Sequence, residues 1–104
     1  MQPYATRMNK SEIRRIASGF RSGAIGNRGS DLMCRVVCFP LAGYLNFLGE
    51  KCEVVTGEFN GADHSWIRLV DGLILDPTID QFSGTIKKFP KVYIGRPTEF
   101  HRPP

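Results

Sequence analysis

Three residues of this 104-residue chain come in the order and local settings that thiol-based acyl chemistry requires: Cys34, His64 and Asp76. Cys34 follows Ser30-Asp31-Leu32-Met33, near the start of an apolar helical stretch. His64 opens the strand-like run His64-Ser65-Trp66-Ile67-Arg68-Leu69, and Asp76 closes the short apolar run Leu73-Ile74-Leu75 ahead of Pro77-Thr78. At a helix N-terminus, unpaired backbone N–H groups and the positive dipole end favour a thiolate. The same N–H groups can receive an oxyanion after attack. A histidine within reach takes the thiol proton and returns it to the leaving amine, and a carboxylate fixes the tautomer of that histidine.

Each residue alone has a simpler reading. A free cysteine on an apolar helix face is usually a small buried hydrophobe, a lone histidine is usually structural or exposed, and an aspartate before proline can merely start a turn. Chemistry rests on their joint placement. Cys38, one helical turn deeper, and Cys52, at the start of a strand, read as structural. His101 sits in a proline-rich tail and is a weak candidate base, and Asp63 and Asp80 compete with Asp76 for the third role. A zinc site built from Cys34, Cys38, His64 and a carboxylate is the main chemical rival, but the paired short cysteine spacings of structural zinc are missing. The expectation is therefore no metal and no cofactor.

The elements that must position these residues follow from pattern. Asn9 or Ser11 can cap a first helix running to about Phe20, with the apolar stripe Ile13, Ile16, Ala17 and Phe20. The segment 21–29 reads as a glycine-rich loop. It lacks the Gly-Lys-Ser/Thr end of a phosphate loop and no strand precedes it, so its expected role is a lead-in beside the nucleophile. Ser30 is the expected N-cap of a second, mostly buried helix with Asp31 in its first turn. Cys34, Cys38, Leu41, Leu45 and Leu48 form its stripe, Pro40 should kink it, and Gly49 should end it. Cys52 to Phe59 reads as a strand, Asn60-Gly61 as a hairpin turn, His64 to Val70 as a second strand and Leu73 to Leu75 as a third. Val92-Tyr93-Ile94 could make a fourth. Counting back from the Asp71-Gly72 turn sets His64 opposite about residue 79, which leaves Asp76 within reach. Two helices followed by an antiparallel meander indicate a single α+β domain over 1–104, with 1–8 and 96–104 as extended or flexible tails and the buried helix, opening with the nucleophile, packed on a three- to four-stranded sheet.

Composition narrows the rest. The length suits one domain. No apolar run approaches the ~20 residues of a membrane span, and Met1 to Arg7 lacks the apolar segment of a signal peptide. An odd cysteine count, three, points to a reducing compartment: the cytoplasm, or delivery from it. The formal charge is +4. Much of it lies before Cys34, with a second basic cluster at Lys87, Lys88 and Lys91, and these read as solvated faces; no nucleic-acid motif accompanies them.

At these residues the chain resembles the transglutaminase-like superfamily, which has the papain-like cysteine-protease fold, in a minimal single-domain version. Three segments carry the resemblance: Cys34 through Leu48-Gly49, where the family has a nucleophile opening a helix that ends in Leu-Gly; Cys52-Glu53-Val54-Val55-Thr56-Gly57, similar to its A-R-x-V-x-G strand; and His64-Ser65-Trp66 with Leu75-Asp76-Pro77-Thr78, similar to H-A-W…D-P-T. They span Cys34 to about Phe82. The chain departs from the pattern at Leu32-Met33, where a Gly-x lead-in is expected, and at Pro40. The resemblance implies Cys34 as nucleophile, His64 as general base and acid, and Asp76 as the acid that orients it. Asn27 or Arg28 is the candidate oxyanion side chain. It also implies a thiol-dependent hydrolase or acyltransferase acting on an amide bond through a thioester: a peptidase, amidase or deamidase if water is the acceptor. Hydrolysis is the default, because so short a chain can hardly exclude water. A protein or peptide would be the substrate, and a partner protein could complete its site. The alternative is a protein-binding or inhibitory module that keeps the fold without turnover.

Overall fold

A computed structural model of the chain describes residues 8–26, 33–84 and 87–104. Two helices, α1 (Lys10–Ile25) and α2 (Cys34–Phe47), precede the strands β1 (Cys52–Phe59), β2 (Ala62–Leu69) and β3 (Ile74–Asp76). A 3₁₀ turn, Ile79–Phe82, leads on to β4 (Tyr93–Gly95) and β5 (His101–Arg102). The antiparallel sheet has the order β4-β3-β2-β1-β5. The α+β architecture with helices before the sheet is as expected, but the sheet has five strands rather than three or four. The additional strand comes from the segment 96–104, whose His101 and Arg102 pair with Phe59 and Glu58. A two-residue strand flanked by prolines carries no alternation to read.

Helix α1 starts at a capping box. The Asn9 side chain accepts from the Glu12 N–H at 2.9 Å, and the Glu12 carboxylate accepts from the Asn9 N–H at 3.0 Å. It runs past Phe20 to Ile25, through what the glycines suggested would be loop. Tertiary contact overrides propensity here. Ile25 is buried. Arg21, also buried, holds Asp80 with two hydrogen bonds of 2.7 and 2.8 Å and the Pro77 carbonyl at 3.0 Å. That grip fixes the chain immediately after β3.

Helix α2 begins at Cys34 itself, with Met33 at the N-cap position; Ser30 and Asp31, the expected cap and first-turn acid, lie outside the described residues. The helix continues through Pro40, which is on its exposed side. It ends in a Schellman motif: the Gly49 N–H reaches the Asn46 carbonyl at 3.0 Å, and the Glu50 N–H reaches that of Leu45 at 2.9 Å, with Gly49 at φ 96°. Its burial is narrower than its apolar content suggested. Val37, Cys38, Leu41, Ala42 and Leu45 are buried, whereas Tyr44 and Leu48 are exposed.

Alternation along the strands sorts the sheet into two faces. Ile67, Leu69, Leu75 and Ile94 point at the helices and join Ile13, Ala17, Cys38, Leu41 and Leu45 in the main core. The other face carries Trp66, Val55, Ile74 and Phe59. It also carries His64, Asp76 and His101, since directly paired residues share a face: Gly57 with His64, Phe59 with His101, and Asp76 with Tyr93. The sheet curls over this face. Tyr93 on one edge strand and His101 on the other lie with ring centroids 6.4 Å apart.

Gly57 permits that closure. A Cβ there would overlap the Arg102 carbonyl oxygen and come within 3.0 Å of Pro103 Cα. Gly57→Ala should therefore push β5 off β1 and lower stability by about 1–3 kcal/mol. The check is the denaturant midpoint together with amide exchange at Asn60, whose N–H is held by the Phe100 carbonyl; unchanged protection of that amide would contradict the close-approach account.

Candidate active site

Each member of the expected trio sits at the end of an element. Cys34 is the first residue of α2, His64 is near the start of β2, and Asp76 is the last residue of β3. Ile67 pairs with Leu75 and Arg68 with Ile74. Continued past Asp76, that register sets Thr78 rather than residue 79 opposite His64, and Asp76 opposite Trp66. Asp76 therefore lies diagonally from His64 on the same face, within side-chain reach. His64 Nε2 meets Asp76 Oδ2 at 2.7 Å, and both side chains are fully buried. The competing acids are elsewhere: Asp80 is paired with Arg21, and Asp63 is exposed.

Cys34 completes the constellation from the helix side. It is half-buried, and the first intrahelical bond of α2 is Val37 N–H to the Met33 carbonyl. The N–H groups of Cys34, Arg35 and Val36 consequently have no intrahelical acceptor. Burial by itself raises the Cys34 thiol pKa. A hydrogen bond with the His64 side chain, backbone hydrogen bonds from Ser65 and Arg35, and the charge on the ring outweigh burial and bring it below the ordinary 9.0. For His64 burial works toward a lower pKa, but hydrogen bonds with Asp76 and Cys34, together with their charges, prevail and push it up to about 9. Nε2 is on Asp76, so proton exchange with the thiol falls to Nδ1, which the Gln81 side-chain amide also meets. The two shifts favour a thiolate–imidazolium pair.

The other cysteines differ in kind. Cys38 is buried and donates to the Ser65 carbonyl at 3.5 Å; burial and the neighbouring charges of Asp76 and Cys34 push its thiol well above the ordinary value. Cys52 is pushed up to about 11 by burial and by Glu50. Asn27 and Arg28, the candidate oxyanion residues, lie outside the described residues.

Two further side chains belong to the cluster. The Gln81 side-chain amide, on the 3₁₀ turn, lies 2.8 Å from His64 Nδ1. His101, from β5, brings Nε2 to Asp76 Oδ2 at 2.8 Å. Nothing in the sequence marks Gln81. For His101 one signal existed: a glycine in the middle of β1, Gly57, marks a close backbone approach. Asp76 is held well by this company. Burial alone would raise its carboxyl pKa, yet hydrogen bonds from His101 and His64, and the positive charge on the His64 ring, keep it lowered. Among the described residues, the group whose ligand atoms lie together is His64, Asp76 and His101, all within 4.8 Å of one another. It is not the Cys34, Cys38 and His64 set of the zinc reading, and its two histidine–aspartate hydrogen bonds already account for its closeness.

Two outcomes follow. Of the three thiols, Cys34 should react first with iodoacetamide, with a midpoint below pH 9.0, and His64→Ala should raise that midpoint by about one unit or more. Preferential labelling of Cys52, or indifference to His64→Ala, would contradict the ion pair. Stability should show the same coupling. His64, its folded pKa raised, contributes stability that is complete below pH 6.5 and is lost as the pH rises through about 9. Cys34, its folded pKa lowered, gains stability over the upper part of that range and offsets the loss. In Cys34→Ala the offset is gone, so the thermal midpoint should fall more steeply from pH 6.5 upward than in the native protein. Parallel slopes would count against the pair. No family model, no curated protein sequence and no solved structure matches the chain.

Proposed function

We propose that the protein is a thiol-dependent acyl-transfer enzyme, a hydrolase or acyltransferase acting on amide bonds, with Cys34 as nucleophile, His64 as general base and acid, and Asp76 orienting His64. The observation that carries this reading is the buried 2.7 Å contact between His64 Nε2 and Asp76 Oδ2, on a ring that also hydrogen-bonds the Cys34 thiol at the start of α2. The sequence of elements, nucleophile helix first and then adjacent antiparallel strands carrying base and acid, supports a transglutaminase-like core.

The steps balance as follows. The Cys34 thiolate attacks the carbonyl carbon, and the carbonyl electron pair moves to oxygen. That oxyanion is met by backbone N–H groups in the first turn of α2 that have no intrahelical acceptor. As the tetrahedral species collapses, the carbon–nitrogen bond breaks and the departing amine takes the Nδ1 proton of His64. A thioester remains on Cys34. Water, or an amine, then attacks the thioester while His64 Nδ1 accepts its proton, and the thiolate leaves. Throughout, His64 Nε2 keeps its hydrogen on Asp76, so the charge that alternates on the ring always faces a carboxylate.

An activated ester that needs no specific recognition tests the chemistry directly. Native protein mixed with p-nitrophenyl acetate should release a burst of p-nitrophenol and carry one acetyl group, located at Cys34 by mass spectrometry. Adding a primary amine reads out the choice of acceptor. Cys34→Ala should abolish the adduct, and His64→Ala or Asp76→Asn should slow its formation by on the order of 10²- to 10⁴-fold. Acetylation that survives Cys34→Ala would sink the reading, and absence of any Cys34 adduct would favour a binding module that keeps the fold without turnover.

A further inference from the structure

A triad needs one histidine on its carboxylate, and Asp76 has two. Its Oδ2 accepts from His64 Nε2 at 2.7 Å and from His101 Nε2 at 2.8 Å, while Oδ1 accepts from the Thr78 N–H at 3.2 Å. His101 is buried and its orientation is set from both ends. Its Nδ1 lies 2.7 Å from Thr98 Oγ1, and that oxygen already accepts from the Phe100 N–H at 3.2 Å. The Asp76 carboxylate can only accept, so the ring hydrogen sits on Nε2, aimed at Asp76, and Nδ1 takes the Thr98 hydroxyl hydrogen. Edge-on contacts with Phe59 and Trp66, at 4.8 and 4.9 Å between centroids, hold the ring plane.

We propose that His101 is a positioning residue of the active site: from the C-terminal strand β5 it fixes the Asp76 carboxylate against His64, so that the last strand of the chain is part of the catalytic apparatus rather than an edge added to the sheet. The physical reason is the reaction cycle. When the His64 Nδ1 proton goes to the leaving amine, Asp76 stays buried and charged opposite a neutral ring. An uncompensated buried carboxylate is costly, and it would either move or take up a proton. A second, permanently oriented N–H donor holds it in both halves of the cycle. The groups facing Asp76 are His64 from β2, His101 from β5, Tyr93 opposite it on β4, and Cys38 from α2. Of these, the two histidines supply its side-chain hydrogen bonds.

The consequence for turnover rests on the acyl-transfer reading, but the test does not need turnover. It measures the pH midpoint for iodoacetamide alkylation of Cys34 in the native chain, His101→Phe, His101→Gln, Asp76→Asn and the double variant His101→Phe/Asp76→Asn. Phenylalanine keeps the ring contacts and removes the donor; glutamine restores an N–H donor. His101→Phe should raise the midpoint by about 0.5–1 unit, and His101→Gln should return at least half of that shift. Once Asp76 is replaced, the further change to phenylalanine should add nothing, because the group through which His101 acts is gone. If His101→Phe does not fold, Thr98→Val, which removes the hydroxyl that orients His101, should produce a smaller shift of the same sign. A midpoint unmoved in His101→Phe with a lowered thermal midpoint, or shifts that simply add in the double variant, would overturn the proposal. An unmoved midpoint in a folded Thr98→Val would do the same where His101→Phe cannot be read. Failure of native protein to form an acetyl-Cys34 adduct, with these midpoint shifts present, would instead strike the acyl-transfer reading alone.

Discussion

One buried carboxylate organises this fold. Asp76 has a fully buried side chain, a state that is tolerable for a charged group only with complete hydrogen bonding. Its donors come from three places: His64 on β2, His101 on β5 and the Thr78 backbone just beyond β3. Satisfying Asp76 therefore requires the hairpin register, the close approach of the last strand at Gly57 and the turn after β3 to be right at once. A slip of one residue in β2 would turn His64 toward the helices and leave the carboxylate short of a partner. The site and the sheet are in this sense a single constraint.

A second buried ion contact secures the same region from the other layer. Arg21 reaches from α1 to Asp80 and to the Pro77 carbonyl, bracketing the segment that follows Asp76. That segment also carries Gln81, the neighbour of His64 Nδ1. A guanidinium pairs bidentately with a carboxylate in one plane, so Arg21 sets the orientation of the 3₁₀ turn as well as its distance. Gly23 stays helical because ending the helix at Phe20 would release this grip.

Those two contacts also mark where the sequence is and is not legible. Strand β1, the Asn60-Gly61 turn and the Cys34–His64–Asp76 trio are readable because each rests on a local signal: alternation, a dipeptide with left-handed φ at both positions, and residues whose types match one chemistry. The extension of α1 to Ile25, the strand at His101–Arg102 and the second histidine on Asp76 are not readable in the same way. Each is decided by a partner distant in the chain (Arg21 with Asp80, His101 with Phe59 and with Asp76), and a local pattern carries no information on such pairings. The proline-rich tail looks like a flexible end because nothing within it specifies a strand; β1 specifies it, by having a glycine where the tail must pass.

Cys34 and Cys38 show how little of this chemistry lies in residue type. They are about one turn apart on the same helix, yet Cys34 feels His64 and Cys38 feels Asp76. At Cys38 the thiol is enclosed by the helix interior, its hydrogen goes to the Ser65 carbonyl, and burial with two negative neighbours keeps it protonated. At Cys34 the helix is only beginning, so N–H groups remain unspent, and the imidazolium stands on the near side of the carboxylate. The sign of the shift reverses over four residues, about 6 Å of helix rise. The lowered thiol pKa thus depends on where α2 starts.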